Sequence, residues 1–302
     1  MMRAAVLVFC LMLGIAAGAK AAAPLLPDRG QIAFSRVQMQ SRDIYLLDVR
    51  TTLTYNLTRT ADAGEITPAW SVDGQRLAFV IGDANSVRAI DFSRAGLPVT
   101  GVAGAALAEY YPIWIAGSTA LEISAAYLPV QVYEHEKLEL RSLGGDVSMQ
   151  PAYAPAGGRI VYVGMDESFN PGVLRTADLA TDVITTLTPR GYVFQYPAWS
   201  PDGRYLAAQY ERGQISDLVI LDVGCLPRCV DAMRVLVQAL GRASGPAWSA
   251  DGGSIAYSCR VDRATSALCL YDLAMDRSYA LTSPAPGLVD SEPAWRPGIG
   301  QP

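Results

Sequence analysis

The sequence predicts an all-β fold, a six-bladed β-propeller built from four-stranded antiparallel blades. Three observations predict it. A short aromatic motif recurs along the chain, β-rich runs alternate with turn signals, and a truncated C-terminal copy supplies what the N-terminal copy lacks. The motif is clearest as PAWSVDGQRLAFV from Pro68, PAWSPDGRYLAAQ from Pro197 and PAWSADGGSIAYS from Pro246. PAYAPAGGRIVYV from Pro151 places Tyr153 at the tryptophan position, and PIWIAGSTALEIS from Pro112 is a worn copy. PAWRPG from Pro293 ends the series. Neighbouring copies start 39 to 49 residues apart. A fixed period of about 40–50 residues marks a repeat architecture, and four strands per repeat mark a propeller blade.

Each unit justifies its strands in turn. The PAW segment is the first. Ser200-Pro201-Asp202-Gly203 then reads as a tight turn, because proline presets φ and glycine accepts the left-handed conformation a hairpin needs. The second strand is an apolar run carrying Leu77, Leu121, Ile160, Leu206 or Ile255 nine residues after its proline. The third is DIYLLDV from Asp43, DLVILDV from Asp217 or ALCLYDL from Ala267, and the fourth ends in Leu57-Thr58, Leu187-Thr188 or Leu281-Thr282. Such runs, with turns every 8–12 residues, contain no helical pattern. Ile32 corresponds to Leu77, yet no PAW segment precedes it. Pairing Pro293 to Trp295 into the blade begun at Gly30 would close the ring and remove an unpaired edge. Trp70, Trp114, Tyr153, Trp199, Trp248 and Trp295 are the expected blade aromatics. A ring burying 150–250 Å² contributes roughly 4–6 kcal/mol.

The opening MMRAAVLVFCLMLGIAAGAKAAAP has one arginine, an apolar run and small residues, the pattern of a secretory signal peptide with cleavage after Ala19 or Ala21. The expected organisation is a leader at 1–21, a short extension at 22–27, the propeller at 28–298 and a tail at 299–302. Loss of Arg3 and Lys20 with the leader takes the net charge from −5 to −7. That charge disfavours nucleic acid and anionic membranes as partners, and nothing is expected to insert in a membrane after cleavage. Export favours oxidation of Cys225, Cys229, Cys259 and Cys269. Cys259 and Cys269 face each other across a hairpin, and Cys225 and Cys229 share the loop CLPRC, so those two pairings are expected. Four cysteines permit three connectivities, and spacing alone does not choose.

The repeated PxWSPDG, the apolar strand, IYLLD and Leu-Thr together resemble the WD40-like (PD40) propeller repeat of the TolB family, from Asp28 to Gly298. The resemblance implies an extracytoplasmic propeller, periplasmic or secreted, that serves as a binding scaffold. It covers the propeller part of the family pattern. The α/β domain that precedes the propeller in the family's namesake has no counterpart expected here, nor does the hydrolase domain of prolyl-oligopeptidase-type relatives.

The chemistry-bearing residues are few. His135, the one histidine, sits in YEHEKLEL and reads as a surface residue. No nucleophile elbow, P-loop or dinucleotide fingerprint occurs. Asp73-Gly74, Asp202-Gly203 and Asp251-Gly252 lack calcium-loop spacing and read as turns, as do Asp48, Asp91, Asp178, Asp222 and Asp272 at the ends of third strands. No metal, cofactor or catalytic residue is expected. The residues before each inner strand would reach the channel mouth: Glu65, Glu109, Tyr110, Tyr111, Gln150, Phe194, Gln195, Tyr196, Asp290 and Glu292. Met165 to Gly172 and Gln209 to Gln214 would flank them. Aromatics among carboxylates suit a protein or peptide partner of the cell envelope or exterior, or else the tyrosines fill the inter-blade entrance. The alternative function is a carbohydrate- or ester-acting enzyme with acids converging in the channel, about 5–10 Å apart.

Overall fold

The computed structural model describes residues 30–38, 41–60, 64–82, 86–104, 110–114, 121–125, 128–134, 139–165, 171–213, 215–225, 229–238 and 245–298. The expected leader, the 22–27 extension, the 299–302 tail, Glu109 and His135 lie outside them. Among the described residues the chain is all β, apart from one three-residue 3₁₀ turn, Val223–Cys225.

Strands β1 (Gln31–Gln38), β2 (Ser41–Asp48) and β3 (Thr54–Asn56) open the chain. A four-stranded antiparallel sheet follows, in order β4 (Glu65–Trp70), β5 (Arg76–Ile81), β6 (Ser86–Asp91) and β7 (Val99–Gly104). Next come a two-stranded sheet of β8 (Tyr110–Trp114) and β9 (Leu121–Ala125), then a five-stranded one. The latter holds β10 (Leu128–Glu134), β11 (Glu139–Tyr153), β12 (Arg159–Met165), β13 (Pro171–Asp178) and β14 (Ile184–Thr186). A second four-stranded sheet contains β15 (Val193–Trp199), β16 (Tyr205–Arg212), β17 (Ile215–Asp222) and β18 (Arg234–Val237). Strands β19 (Ala247–Trp248), β20 (Ser254–Arg260), β21 (Ser266–Asp272), β22 (Arg277–Ala280) and β23 (Val289–Trp295) end the chain.

Strand β23 pairs antiparallel with β1, placing Trp295 opposite Ile32. The same aromatic-to-aliphatic register occurs in every unit: Trp70 with Leu77, Trp114 with Leu121, Tyr153 with Ile160, Trp199 with Leu206 and Trp248 with Ile255. The period-2 alternation of a strand then sends the tryptophans toward the preceding unit, whereas Tyr153 packs with Ile160, Tyr162 and Ala177 of its own. Trp199 packs with Val161, Val163 and Leu174, and Trp70 with Ala33, Ile44 and Leu46.

The third unit differs from a regular four-stranded blade. Strand β11 runs 15 residues, pairing first with β10 and then with β12. Too few residues separate Glu139 from Pro151 for an outer strand, a loop and a new inner strand. One long strand serves both sheets, and a register shift opposite Gly144 and Gly145 bends it.

The Ser-x-Asp-Gly turns are built alike. Asp202 Oδ1 accepts from Ser200 Oγ at 2.5 Å and from the Arg204 amide at 3.0 Å, while Ser200 Oγ accepts from the Tyr205 amide at 2.8 Å. Asp73 and Asp251 repeat the pattern. Gly74 and Gly203 adopt φ +64° and +68°, and a Cβ on Gly74 would lie 2.9 Å from the Pro297 carbonyl oxygen. The aspartates ending third strands cap their turns through amide hydrogens, Thr51 on Asp48 and Gly224 on Asp222 among them.

Leu-Thr falls just beyond the fourth strand rather than within it. The leucine amide donates to the third strand, as Leu187 does to Leu174, and the threonine hydroxyl accepts from that strand's amide in return. Thr58 and Thr282 do the same for Ile44 and Leu268. Short fourth strands are thereby held at their C-terminal ends.

Candidate channel site

The inner strands are tied one to the next by their tryptophans. Trp70 Nε1 donates to the Ala294 carbonyl at 3.1 Å, Trp114 to Ala69 at 2.9 Å, Trp199 to Ala152 at 3.1 Å and Trp248 to Ala198 at 3.0 Å. In each case the acceptor is the alanine, or its equivalent, in the motif of the preceding unit. Burying an indole without a partner for its N–H would be costly. An arginine covers three of these rings: Arg296 Cζ lies 4.9 Å from the Trp70 centroid, Arg76 4.9 Å from Trp114 and Arg159 5.5 Å from Trp199. Arg296 is buried and donates to the Gly74 carbonyl and to Gln31 Oε1.

At the other end of the inner strands the residue before five of the six motif prolines takes an unusual backbone; Tyr111, before Pro112, does not. Thr67, Gln150, Tyr196 and Glu292 have φ between +49° and +55°, and Gly245 has +62°. Proline has no N–H for the ladder, and the register shifts by a bulge at Ile66/Ala69, Met149/Ala152 and Gln195/Ala198. The bulge turns the pre-proline residues toward one another. Glu292 Oε2 accepts from the Thr67 amide at 2.9 Å, and Gln150 Oε1 accepts from the Tyr196 amide at 2.6 Å. Thr67, Tyr111, Gln150 and Tyr196, with Pro68, Pro112, Pro151, Pro197 and Pro246, line one cavity of about 170 Å³. Residues from five inner strands therefore converge on a common space.

This geometry sorts the residues expected at the mouth. Of those one before the proline, Tyr111, Gln150 and Tyr196 line the cavity, and Glu292 bonds to the amide of Thr67, which lines it. Thr67 belongs with them and was missed; its place immediately before Pro68 was the available signal. Those three before the proline do not reach it. Glu65, Phe194 and Asp290 are buried, because the pleat and the bulge turn that position into the sheet. Phe194 packs with Tyr192 and Tyr210. Glu65 accepts from Thr58 Oγ1 at 2.5 Å and Thr60 Oγ1 at 2.9 Å. Asp290 accepts from Thr282 Oγ1 at 2.7 Å and ion-pairs with Arg36 at 2.6 Å. The two acids clasp the Leu-Thr segments, which explains their recurrence three places before a proline. Gln195 Nε2 donates to Glu211 Oε1 at 3.1 Å. The Tyr110 side chain, and most of the loop from Met165 to Gly172, lie outside the described residues. Gln209 is buried in β16, with its amide on Glu211 and Ser216.

The electrostatics follow from these contacts. Burial raises the Glu65 pKa; the two threonine bonds pull it back, and Asp43 nearby raises it further. Asp202 and Asp251 are lowered by the serine hydroxyls and backbone amides of their turns. Glu292 Oε2 also accepts from Ser35 Oγ at 2.7 Å. Among the described residues no three His, Cys, Asp or Glu side chains are grouped so as to hold a metal ion. Cys259 and Cys269 form a disulfide across the β20–β21 hairpin. Cys229 is buried and disulfide-bonded; the side chain of Cys225, its expected partner, lies outside the described residues.

No protein-family model and no curated protein sequence matches the chain. Solved structures do. The crystal structure of TolB from Acinetobacter baumannii aligns with a TM-score of 0.71 at 16% identity, covering 90% of this chain and 68% of that one. A putative TolB from Agrobacterium tumefaciens aligns at 0.66 and 15% identity, covering 86% and 97%. Hydrazine synthase from Kuenenia stuttgartiensis aligns at 0.67 and 12% identity, covering 93% and 48%. An enzyme and TolB proteins share this architecture, so the likeness speaks to fold alone. With its recurring aromatic register and indole-linked inner strands, the chain has the β-propeller fold of the TolB proteins.

Proposed function

We propose that this chain is an exported, non-catalytic propeller of six blades, closed where β23 joins β1, that binds a protein or peptide at its channel mouth. The observation that carries the binding reading is the convergence of Tyr111, Gln150 and Tyr196 on the 170 Å³ cavity. Tyrosines offer apolar faces with a polar tip, and the glutamine amide and nearby backbone offer directional bonds. A space of that size is below the roughly 300–1,000 Å³ of pockets for drug-sized ligands. It suits one side chain or a chain end of a peptide lying across the mouth. The enzyme alternative is less favoured, because Glu65 and Asp290 are buried against threonine partners.

The closure reading is supported by the β23–β1 register and by the indole bond from Trp70 to Ala294. The export reading, periplasmic or secreted, is supported by the leader-like N-terminus and the Cys259–Cys269 disulfide. N-terminal sequencing of protein recovered from the periplasm and the medium checks the leader, with a start at Lys20 or Ala22 expected.

Binding is tested by calorimetric titration with a panel of synthetic peptides drawn from cell-envelope proteins. Tyr111→Ala and Tyr196→Ala are expected to weaken any bound peptide by about tenfold or more each, as for central aromatic anchors. Affinities unchanged in both variants would remove the channel mouth as the site.

A further inference from the structure

Of the five motif tryptophans, Trp70, Trp114 and Trp199 each carry a guanidinium, and among the described residues Trp248 and Trp295 do not. Arg76 and Arg159 stand immediately before Leu77 and Ile160 and stack on the tryptophan of the following unit. Where Gln31 replaces that arginine, Arg296 covers Trp70 instead. In the next equivalent place the chain has Tyr205, and among the described residues no guanidinium stacks on Trp248. A cavity of about 590 Å³ opens there between β15–β18 and β19–β22. It lies at the turn end of the inner strands, away from the pre-proline cavity.

The walls of this cleft have a defined chemistry. Tyr205, Ile220, Trp248 and Leu273 supply its apolar surface, and Asp202, Asp222 and Asp251 its acidic edge; Arg204 stacks on Tyr205 and pairs with Asp222, which leaves the Trp248 face beside Asp202 and Asp251. The turns engage Oδ1 of both aspartates, and Oδ2 takes no part in them. Arg234 also lines the cleft and is ion-paired with Asp276, an acid outside the lining. An aromatic face beside ionised carboxylates is the environment a guanidinium prefers. The volume is larger than a guanidinium alone needs and falls within the usual range for ligand pockets, about 300–1,000 Å³.

We propose that this cleft binds an arginine side chain presented by a peptide segment of a partner protein, supplying from outside the cation that the neighbouring interfaces carry within the chain. The site is distinct from the channel mouth and does not depend on it. At Trp295, where Ser254 stands in place of the arginine, the adjoining turn carries Arg296 rather than an acid, which disfavours a second cation.

The test uses the Trp248 indole N–H, held on the Ala198 carbonyl, as an NMR reporter. Acetyl-Ala-Ala-Arg-Ala-Ala-amide is titrated into the full chain, beside counterparts carrying lysine or citrulline. The arginine peptide is expected to move the Trp248 resonance saturably, lysine to bind about tenfold more weakly and citrulline not to bind. Tyr205→Arg fills the cleft from within and is expected to abolish binding. The doubly substituted Asp202→Asn, Asp251→Asn protein keeps the turn acceptors and is expected to lose about tenfold. Tyr196→Ala, at the channel mouth, is expected to leave this titration unchanged. No saturable shift with the arginine peptide, equal binding of citrulline, or full binding by the Asn variant overturns the proposal.

Discussion

Trp70, Trp114, Trp199 and Trp248 each do two jobs that burial alone does not reveal. Trp199 fills a space between units and donates its N–H to Ala152. Trp199→Phe keeps most of the ring and loses that bond; chemical denaturation should show a loss of about 1–3 kcal/mol from the orphaned carbonyl and reduced volume. Trp199→Ala should lose about 3–5 kcal/mol. Glu65 makes a different prediction. Its pKa is raised in the fold, chiefly by burial, so the folded chain holds that proton more tightly than the unfolded chain does. The stabilising effect of protonation is therefore present at low pH and is lost as pH rises above the ordinary value through the raised one. Denaturation midpoints of Glu65→Gln, measured from acid to neutral pH, should gain on wild type as pH increases. A constant difference would mean that Glu65 titrates normally.

At the scale of elements, hairpins and their staples decide local stability. The Cys259–Cys269 bridge spans 10 residues of sequence, and constraining a loop of that size in the unfolded chain is worth about 2–3 kcal/mol. Replacing both cysteines by serine should lower the urea midpoint accordingly, and reductant should then have no further effect at that hairpin. Strand β23 matters more, because β1 has it as a partner along one side. Deleting Pro293 to Pro302 removes the PAW part of that strand, the Ala294 acceptor and Arg296 together. A large fall in melting temperature is expected, whereas trimming Pro302 alone should change nothing measurable. A deletion that melts like wild type would dismiss the closure reading. The long β11 shows where element-level reasoning fell short: the sequence announced a new unit at Pro151, but not that the strand before it would run straight through.

For the whole molecule, a sharing of labour between the two ends of the inner strands emerges. One end gathers pre-proline residues around a small cavity; the other lays arginines on Trp70, Trp114 and Trp199, and among the described residues not on Trp248 or Trp295. Repeat recurrence was legible because the same register must bury the same aromatic in every unit, so Trp70, Trp199, Trp248 and Trp295 announce themselves. The aspartate turns were legible for a similar reason: local hydrogen bonds need only local residues. The residues that share the pre-proline cavity were legible in part. Tyr111, Gln150 and Tyr196 were identified from loop position, while Glu65, Phe194 and Asp290 were assigned there too and lie buried instead. Which way a side chain points three residues before a proline depends on a bulge, and a bulge is a relation between two strands.

By itself the sequence determined the all-β repeat, its turns and the partners within each hairpin, since these rest on contacts a few residues apart. Only the tertiary structure decided which pre-proline residues share one cavity, that the indoles bond across units, and that arginines lie on Trp70, Trp114 and Trp199 but, among the described residues, not on Trp248. Those are contacts between units some 45 residues or more apart in the chain. They depend on how neighbouring sheets face one another, which no local pattern encodes.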